Sequence, residues 1–354
     1  MNGYKIKFNG IDRLYDEYSW RLTRRAKQVW SSGNVLQGQY LDKFERELGK
    51  KYKRKYAIAV GSATDGLYFA LRCANATTND TVVCPALSYI ATSGAIKRIG
   101  CNIDYIDIDK NGNLDVLKIS DMSLPKALLY VNLFGNVAEY DTLKKICNRR
   151  GILLIEDAAQ SQGAKYKKQS SGTLGDISIF SFDPMKNLPS FGGGGMVLTD
   201  SKDTYDAIRS LRRHGLSGNS RYGYNSLISE DHANQLLLLL KKFDKLQKMR
   251  EKVFKRYKKN LFEVEFLECE KNTLSSYHKM VMLSGRRDEL KLYLESKGVE
   301  TKIHYSKTLD NDNIGKYPNA ESICAKALSL PIYPHLKMSE VDYICDRIKE
   351  FMYV

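Results

Sequence analysis

The chain has 354 residues, 43% of them hydrophobic, and a formal net charge of +15. That length supports one large domain and a smaller one around a substantial core, and no run of about 18 uncharged apolar residues is present to cross a membrane as a helix. The seven cysteines are scattered, with neither CxxC spacing nor paired histidines beside them, which argues against a disulfide framework and a metal site.

Met1-Asn2-Gly3-Tyr4-Lys5 lacks the apolar block of a signal peptide, so a cytoplasmic protein is expected. The lysines are spread along the whole chain and no nucleic-acid recognition module accompanies them, so the charge reads as solvated surface, and no nucleic-acid or membrane partner is expected.

From Gln39 to Tyr52, Leu41, Phe44 and Leu48 recur at helical spacing between charges. A β-branched run, Tyr56 to Val60, follows; then comes the turn Gly61-Ser62-Ala63-Thr64-Asp65 and a second helical pattern with Leu67, Ala70 and Leu71. The alternation repeats: strand Thr81 to Cys84, helix Ser88 to Lys97, strands Asp104 to Asp107 and Ala127 to Val131, helix Tyr140 to Arg150, strand Ile152 to Glu156. Several of these strands are continuously apolar, which predicts a largely parallel sheet covered on both faces, with ligands outside the carboxyl ends of its strands. Two further strands, Ile177 to Phe182 and Gly195 to Thr199, precede a long helical stretch over 229–259 that carries Leu236 to Leu240. Residues 274–354 read as mixed strand and helix, closing on a helix with Ser339 as N-cap and Val341, Ile344, Ile348 and Phe351 on one face. The expected division is a large domain over 1–235, including an N-terminal helical segment, and a connecting helix with a small α+β domain over 236–354.

The most informative block is Glu156-Asp157-Ala158-Ala159-Gln160-Ser161, then Gly175-Asp176, then Phe180-Ser181-Phe182-Asp183-Pro184-Met185-Lys186-Asn187, then Gly192 to Gly195. It resembles the nucleotide-sugar aminotransferases of the DegT/StrS type, members of the type I pyridoxal-phosphate (PLP) fold. Gly61 to Leu67, Pro85 to Thr92, Arg213-His214-Gly215, Gly223-Tyr224-Asn225, Ile303-His304-Tyr305 and Leu328 to Pro334 extend the resemblance, collinearly, over nearly the whole chain.

The resemblance implies a three-layer α/β fold, PLP as cofactor, and transfer of an amino group from L-glutamate to a nucleotide-linked keto sugar. It implies that Lys186 holds the cofactor covalently and moves the proton, and that Asp157 faces the pyridine nitrogen and keeps it protonated. Read alone, Lys186 is one lysine among many and Asp157 an ordinary loop acid or helix cap. By the same resemblance Gln160 contacts the ring's 3-oxygen and Tyr89 stacks on the ring. Ala63 and Thr64, at a helix start, and Ser181 hold the phosphate. Asn225 reaches the phosphate of a neighbouring subunit, which implies a homodimer with shared active sites.

Two departures stand out: Ala63 replaces a glycine, and Asn225-Ser226-Leu227-Ile228 lacks the arginine of the family's turn. Arg213-His214-Gly215 and His304-Tyr305 look more like relatives acting at C4 of a 4-keto-6-deoxyhexose than at C3, which makes His214, His304 and Tyr305 candidate substrate contacts. A structural role for either histidine remains an alternative. A sugar deoxygenase would carry histidine in place of Lys186. A non-catalytic, nucleic-acid-binding regulator on the same fold is the rival from another class.

Overall fold

A computed structural model describes residues 4–119, 124–216 and 222–353. Helix α1 (Ile11–Trp30) opens the fold, its buried face formed by Leu14, Tyr18, Leu22, Ala26 and Val29 at near-fourfold spacing. Helix α2 (Gln39–Tyr52) buries Leu41, Phe44 and Leu48 and stops at Lys53 in the left-handed conformation. Its first turn is capped from a distance, because the Glu230 carboxylate accepts the N–H groups of Gly38, Tyr40 and Leu41, each at 2.9 Å.

The chain then alternates: β1 (Tyr56–Val60), α3 (Ala63–Cys73), β2 (Thr81–Pro85), α4 (Ala91–Ile99), β3 (Asn102–Ile106), β4 (Ala127–Val131), α5 (Tyr140–Arg150) and β5 (Leu153–Asp157). A small two-strand ribbon, β6 (Lys165–Tyr166) and β7 (Gln169–Ser170), leads to β8 (Ile177–Ser181), β9 (Gly195–Thr199) and α6 (Lys202–Leu211). Seven of these strands form one sheet in the order β1-β9-β8-β5-β4-β2-β3. Only β9 runs against its neighbours, pairing antiparallel with both β1 and β8, while β8, β5, β4, β2 and β3 are mutually parallel. The continuous apolar runs match their burial, since every residue of β4, β8 and β9 is buried.

Helix α7 (Glu230–Asn260) runs unbroken through residue 235, where a domain boundary was expected. Leu236 to Leu240, Phe243 and Leu246 pack with α1 and α2 against the sheet, while Val253 and Tyr257 join the core of the C-terminal part. That part comprises β10 (Thr273–Leu274), which pairs back onto β6, then β11 (Met280–Leu283), α8 (Arg287–Ser296), α9 (Pro318–Lys326), β12 (Ala327–Leu330), paired with β11, and α10 (Met338–Met352).

Several details differ from expectation, among them that β3 starts and ends earlier than Asp104 to Asp107. Helix α4 starts at Ala91 rather than Ser88, because Tyr89 and Ile90 sit in the turn before it. Strand β5 extends one residue further, making Asp157 its last residue rather than the first of the loop. Helices α1 and α6 are additional. Finally, α10 is capped by Lys337 rather than Ser339: the Glu340 carboxylate accepts the Lys337 N–H at 2.9 Å, so the start is set two residues earlier by that acid.

Candidate active site

The carboxyl ends of β5 and β8 converge on one cleft. Asp157 ends β5, and beyond the end of β8 a turn in which the Lys186 N–H donates to Asp183 O at 2.9 Å carries the lysine back toward it. Asn187 pins that turn: its amide donates to Ser276 O at 2.7 Å, and its oxygen meets His278 Nδ1 at 3.0 Å. The Lys186 amine makes no hydrogen bond or ion pair with a described residue, and its electrostatic partners are Asp157 and Asp183. Burial draws its pKa below the ordinary lysine value, and the two carboxylates pull the other way. Burial likewise raises the Asp157 carboxyl, against the Ala159 N–H at 3.0 Å, the Lys186 charge and the Thr92 hydroxyl.

Gln160, two turn residues further on, is fixed at both ends. Its oxygen accepts the Phe134 N–H at 3.0 Å and its amide donates to the Tyr305 hydroxyl at 2.9 Å. Tyr305 itself packs on the Phe134 ring with centroids 5.6 Å apart. The Phe134 backbone can take its left-handed shape against this wall because Gly135 follows: a Cβ there would lie 2.6 Å from the Ser276 hydroxyl and 2.8 Å from the His278 nitrogen.

An anion cradle lies beside the lysine turn. Ser62 caps α3, its hydroxyl accepting the Asp65 N–H at 3.1 Å, and its carbonyl accepts the Gly66 N–H. The N–H groups of Ala63 and Thr64 are thereby left without a partner among the described residues, at the positive end of the helix dipole. Ser181 pairs with Gly195 across β8 and β9, and a Cβ on Gly195 would come within 2.6 Å of the Ala63 nitrogen. Glycine at 195 therefore brings the Ser181 strand and the α3 terminus to one place.

Tyr89 is 61% exposed at the mouth, close enough to Tyr305 for the two phenol groups to influence each other. His304 lies deeper, with Nε2 buried and unpartnered, and burial together with Lys279, Lys302 and Lys186 pushes its pKa down to about 2. The structure thus brings together Lys186, Asp157, Gln160, Tyr305 and His304, and separately Ala63, Thr64 and Ser181 around Gly195. His214 and Asn225 are exposed where Arg213 pairs with Asn225 and the His214 N–H donates to Tyr224 O at 3.1 Å, and the next residue, Ser226, accepts the Gly61 N–H at 2.9 Å and donates to Asp65 at 2.8 Å beside the α3 start. Among the described residues, neither His214 nor Asn225 makes a hydrogen bond or ion pair with Lys186.

Sequence reasoning missed Phe8, Thr92, His278 and Lys279. The signal available for the last two was the polar run Ser275-Ser276-Tyr277-His278-Lys279 directly before an apolar strand.

An unpaired deep lysine facing a buried carboxylate, beside two free helix N–H groups and a hydroxyl, fits PLP: an aldehyde for the amine, a ring nitrogen for the acid, a phosphate for the cradle. Residues 19–349 match the model of the DegT/DnrJ/EryC1/StrS aminotransferase family.

The chain belongs to that family. It is a PLP-dependent aminotransferase of the nucleotide-sugar type. This aminotransferase is 30% identical to the pleiotropic regulatory protein of Geobacillus stearothermophilus, over 96% of this chain and 97% of that one. It is also 30% identical to the UDP-2-acetamido-2-deoxy-3-oxo-D-glucuronate aminotransferase of Pseudomonas aeruginosa, over 96% and 98% of the two chains. The aminotransferase superposes on the crystal structure of Streptomyces venezuelae DesV, solved with a ketimine intermediate, with a TM-score of 0.94 at 30% identity, covering 98% of each chain. Among the described residues no helix is long and apolar enough to cross a membrane, and no cluster of His, Cys, Asp or Glu can hold a metal ion.

Proposed function

We propose that this aminotransferase takes its amino group from L-glutamate and delivers it to C4 of a nucleotide-linked 4-keto-6-deoxyhexose, giving a 4-amino-4,6-dideoxy sugar. The observation that carries the transamination is the partnerless Lys186 amine facing the buried Asp157 carboxylate. PLP, when bound, supplies an electron sink for the carbon that loses its proton.

The protein's own groups do the rest. Lys186 would hold the cofactor through its amine and, when that amine is free, would carry a proton between the two reacting carbons; burial lowers its pKa, which favours the free base this role needs. Asp157 keeps the ring nitrogen cationic, and that cation in turn offsets the penalty of burying the carboxylate. Gln160, held by Phe134 and Tyr305, is positioned to donate to the ring's oxygen. Ala63, Thr64 and Ser181 hold the phosphate, and Tyr89 covers the ring. Asn225, exposed on the surface, fits a role in a neighbouring copy's site, which supports a homodimer. His304 and Tyr305 line the sugar's side of the cleft, and His214 reaches the substrate from the segment after α6. A cytoplasmic location accords with nucleotide-sugar chemistry.

The C4 assignment rests on His304-Tyr305 and Arg213-His214-Gly215. Acceptance of a 3-keto sugar is the second reading, favoured by the names of two relatives, the 3-oxo-glucuronate enzyme and a dTDP-3-amino-3,4,6-trideoxyglucose transaminase. The test incubates PLP-loaded protein with glutamate and UDP-, dTDP- and GDP-linked 3-keto and 4-keto sugars, and identifies amino sugars by mass. Turnover of 4-keto acceptors is expected; turnover confined to 3-keto acceptors would overturn the regiochemistry, and none at all the sugar assignment.

A further inference from the structure

Three cationic or basic side chains crowd one aromatic ring beside Lys186. The Lys279 ammonium lies 4.9 Å from the centroid of Phe8, the Lys302 ammonium 5.2 Å from it, and the His304 ring meets it edge-on at 5.5 Å. Phe8 is itself 4% exposed, so the cluster is closed on that side. Lys302 has one distant carboxylate, Glu300 at 3.9 Å, whose other oxygen is held by the Phe8 N–H at 2.8 Å. Lys279 has neither hydrogen bond nor ion pair with a described residue, and its neighbours Lys186, Arg250 and Lys302 share its sign, with Asp183 the opposing charge. The Nε2 of His304 is buried and unsatisfied at the same place.

A fold gains nothing from an uncompensated ammonium gathered with like charges. A ligand carboxylate would pair with Lys279 and Lys302 at once, through charge-assisted hydrogen bonds. We propose that Lys279 and Lys302, over the Phe8 ring, form a subsite for a terminal carboxylate on the compound reacting at Lys186. Because Phe8 closes the far side, the subsite suits a terminal group rather than a diphosphate with a nucleoside beyond it. The carboxylate can come from the distal end of a dicarboxylic amino donor or from C6 of a hexuronate sugar. The proposal rests on the transamination reading, and it makes Lys279 and Lys302 specificity-determining residues.

The test compares the PLP-loaded wild type with Lys279→Met and Lys302→Met. The donor half-reaction, which needs no sugar, is followed by the cofactor's absorbance with glutamate and with alanine. Binding of UDP-hexuronate, UDP-hexose and UDP alone to the cofactor-loaded enzyme is measured by calorimetry. The expected result is a rise of tenfold or more in the half-saturation for glutamate, or in the Kd for UDP-hexuronate, with alanine and UDP-hexose changed less than twofold. The first pattern assigns the subsite to the donor; the second assigns it to the sugar and replaces the 6-deoxy acceptor proposed above. Equal effects on carboxylate-bearing and carboxylate-free compounds, no effect on either, or weakened binding of UDP alone would overturn the subsite. Loss of the half-reaction in the wild type would instead sink the transamination reading itself. A normal cofactor spectrum in both variants verifies that they fold.

Discussion

Gln160 and Tyr305 are 145 positions apart and joined side chain to side chain at 2.9 Å, so the loop after the central strand is held by the C-terminal part of the chain. That bond fixes the direction in which the Gln160 amide points. Tyr305→Phe should leave the fold intact and free Gln160 to rotate, at a cost of about 1 kcal/mol in transition-state stabilisation, or a fivefold fall in kcat/KM. Steady-state kinetics check the magnitude, and a shift in the pH midpoint of the bound cofactor's absorbance checks that Gln160 is the intermediary.

Lys186→Ala should abolish multiple turnover and remove the absorbance of the covalently held cofactor, a loss of at least about a thousandfold. Asp157→Ala should keep the lysine attachment but lower kcat by roughly a hundredfold or more, since the ring nitrogen would lose its buried counter-charge. Borohydride reduction followed by peptide mass analysis distinguishes the two: label on the Lys186 peptide must survive in the Asp157 variant.

Asn225→Ala and Lys186→Ala should complement each other when mixed and allowed to exchange subunits. One site of each mixed dimer then has both residues, so activity should rise above the mean of the separate proteins, toward roughly a quarter of wild type. No gain despite exchange seen by native mass spectrometry would place Asn225 in its own subunit's site or in none.

Glu156, next to Asp157 in the chain, accepts the Asn132 amide at 2.9 Å, the hydroxyls of Ser171 and Ser178 at 2.8 and 2.7 Å, and the N–H groups of Gly172 and Leu174 at 2.9 and 3.0 Å. Glu156→Ala strands all of these donors in the core and should cost more than about 3 kcal/mol in denaturant unfolding. Glu156→Gln should cost less, because an acceptor oxygen remains.

Burial holds the Lys279 pKa well below 10.5, with Lys186, Arg250 and Lys302 adding to the effect. The unfolded chain therefore binds more protons at this position, and the residue's cost to stability is fully present below the folded value and fades as pH rises toward 10.5. Lys279→Met should stabilise the unligated protein at pH 7 by on the order of 1 kcal/mol, raising its Tm, with the gain shrinking toward pH 10. Thermal scans across that range check the sign.

Much of this arrangement was legible because it is local. The strand–turn–helix order set the parallel sheet, and Asp157, Gln160, Ser181 and Lys186 lie within one stretch whose spacing is a signature. What escaped was produced by long-range packing. Phe8 and Lys279 meet only because the chain's start and β11 converge on the cleft, and a lysine in so basic a chain carries no mark of its burial. The α10 cap was misread for a related reason: Ser339 is the better capping residue type, but Glu340, bound by Arg13 from α1 at 2.6 Å, fixes the helix start from across the fold.

Helix α7, with 31 residues and therefore about 46 Å in length, belongs to two cores at once. Such a shared beam leaves no soft joint between the lobes: neither half can melt without unseating leucines or aromatics that the other half relies on. Heating should therefore yield a single calorimetric peak, and cleavage engineered in the middle of this helix should release two unstable pieces rather than two independent folds.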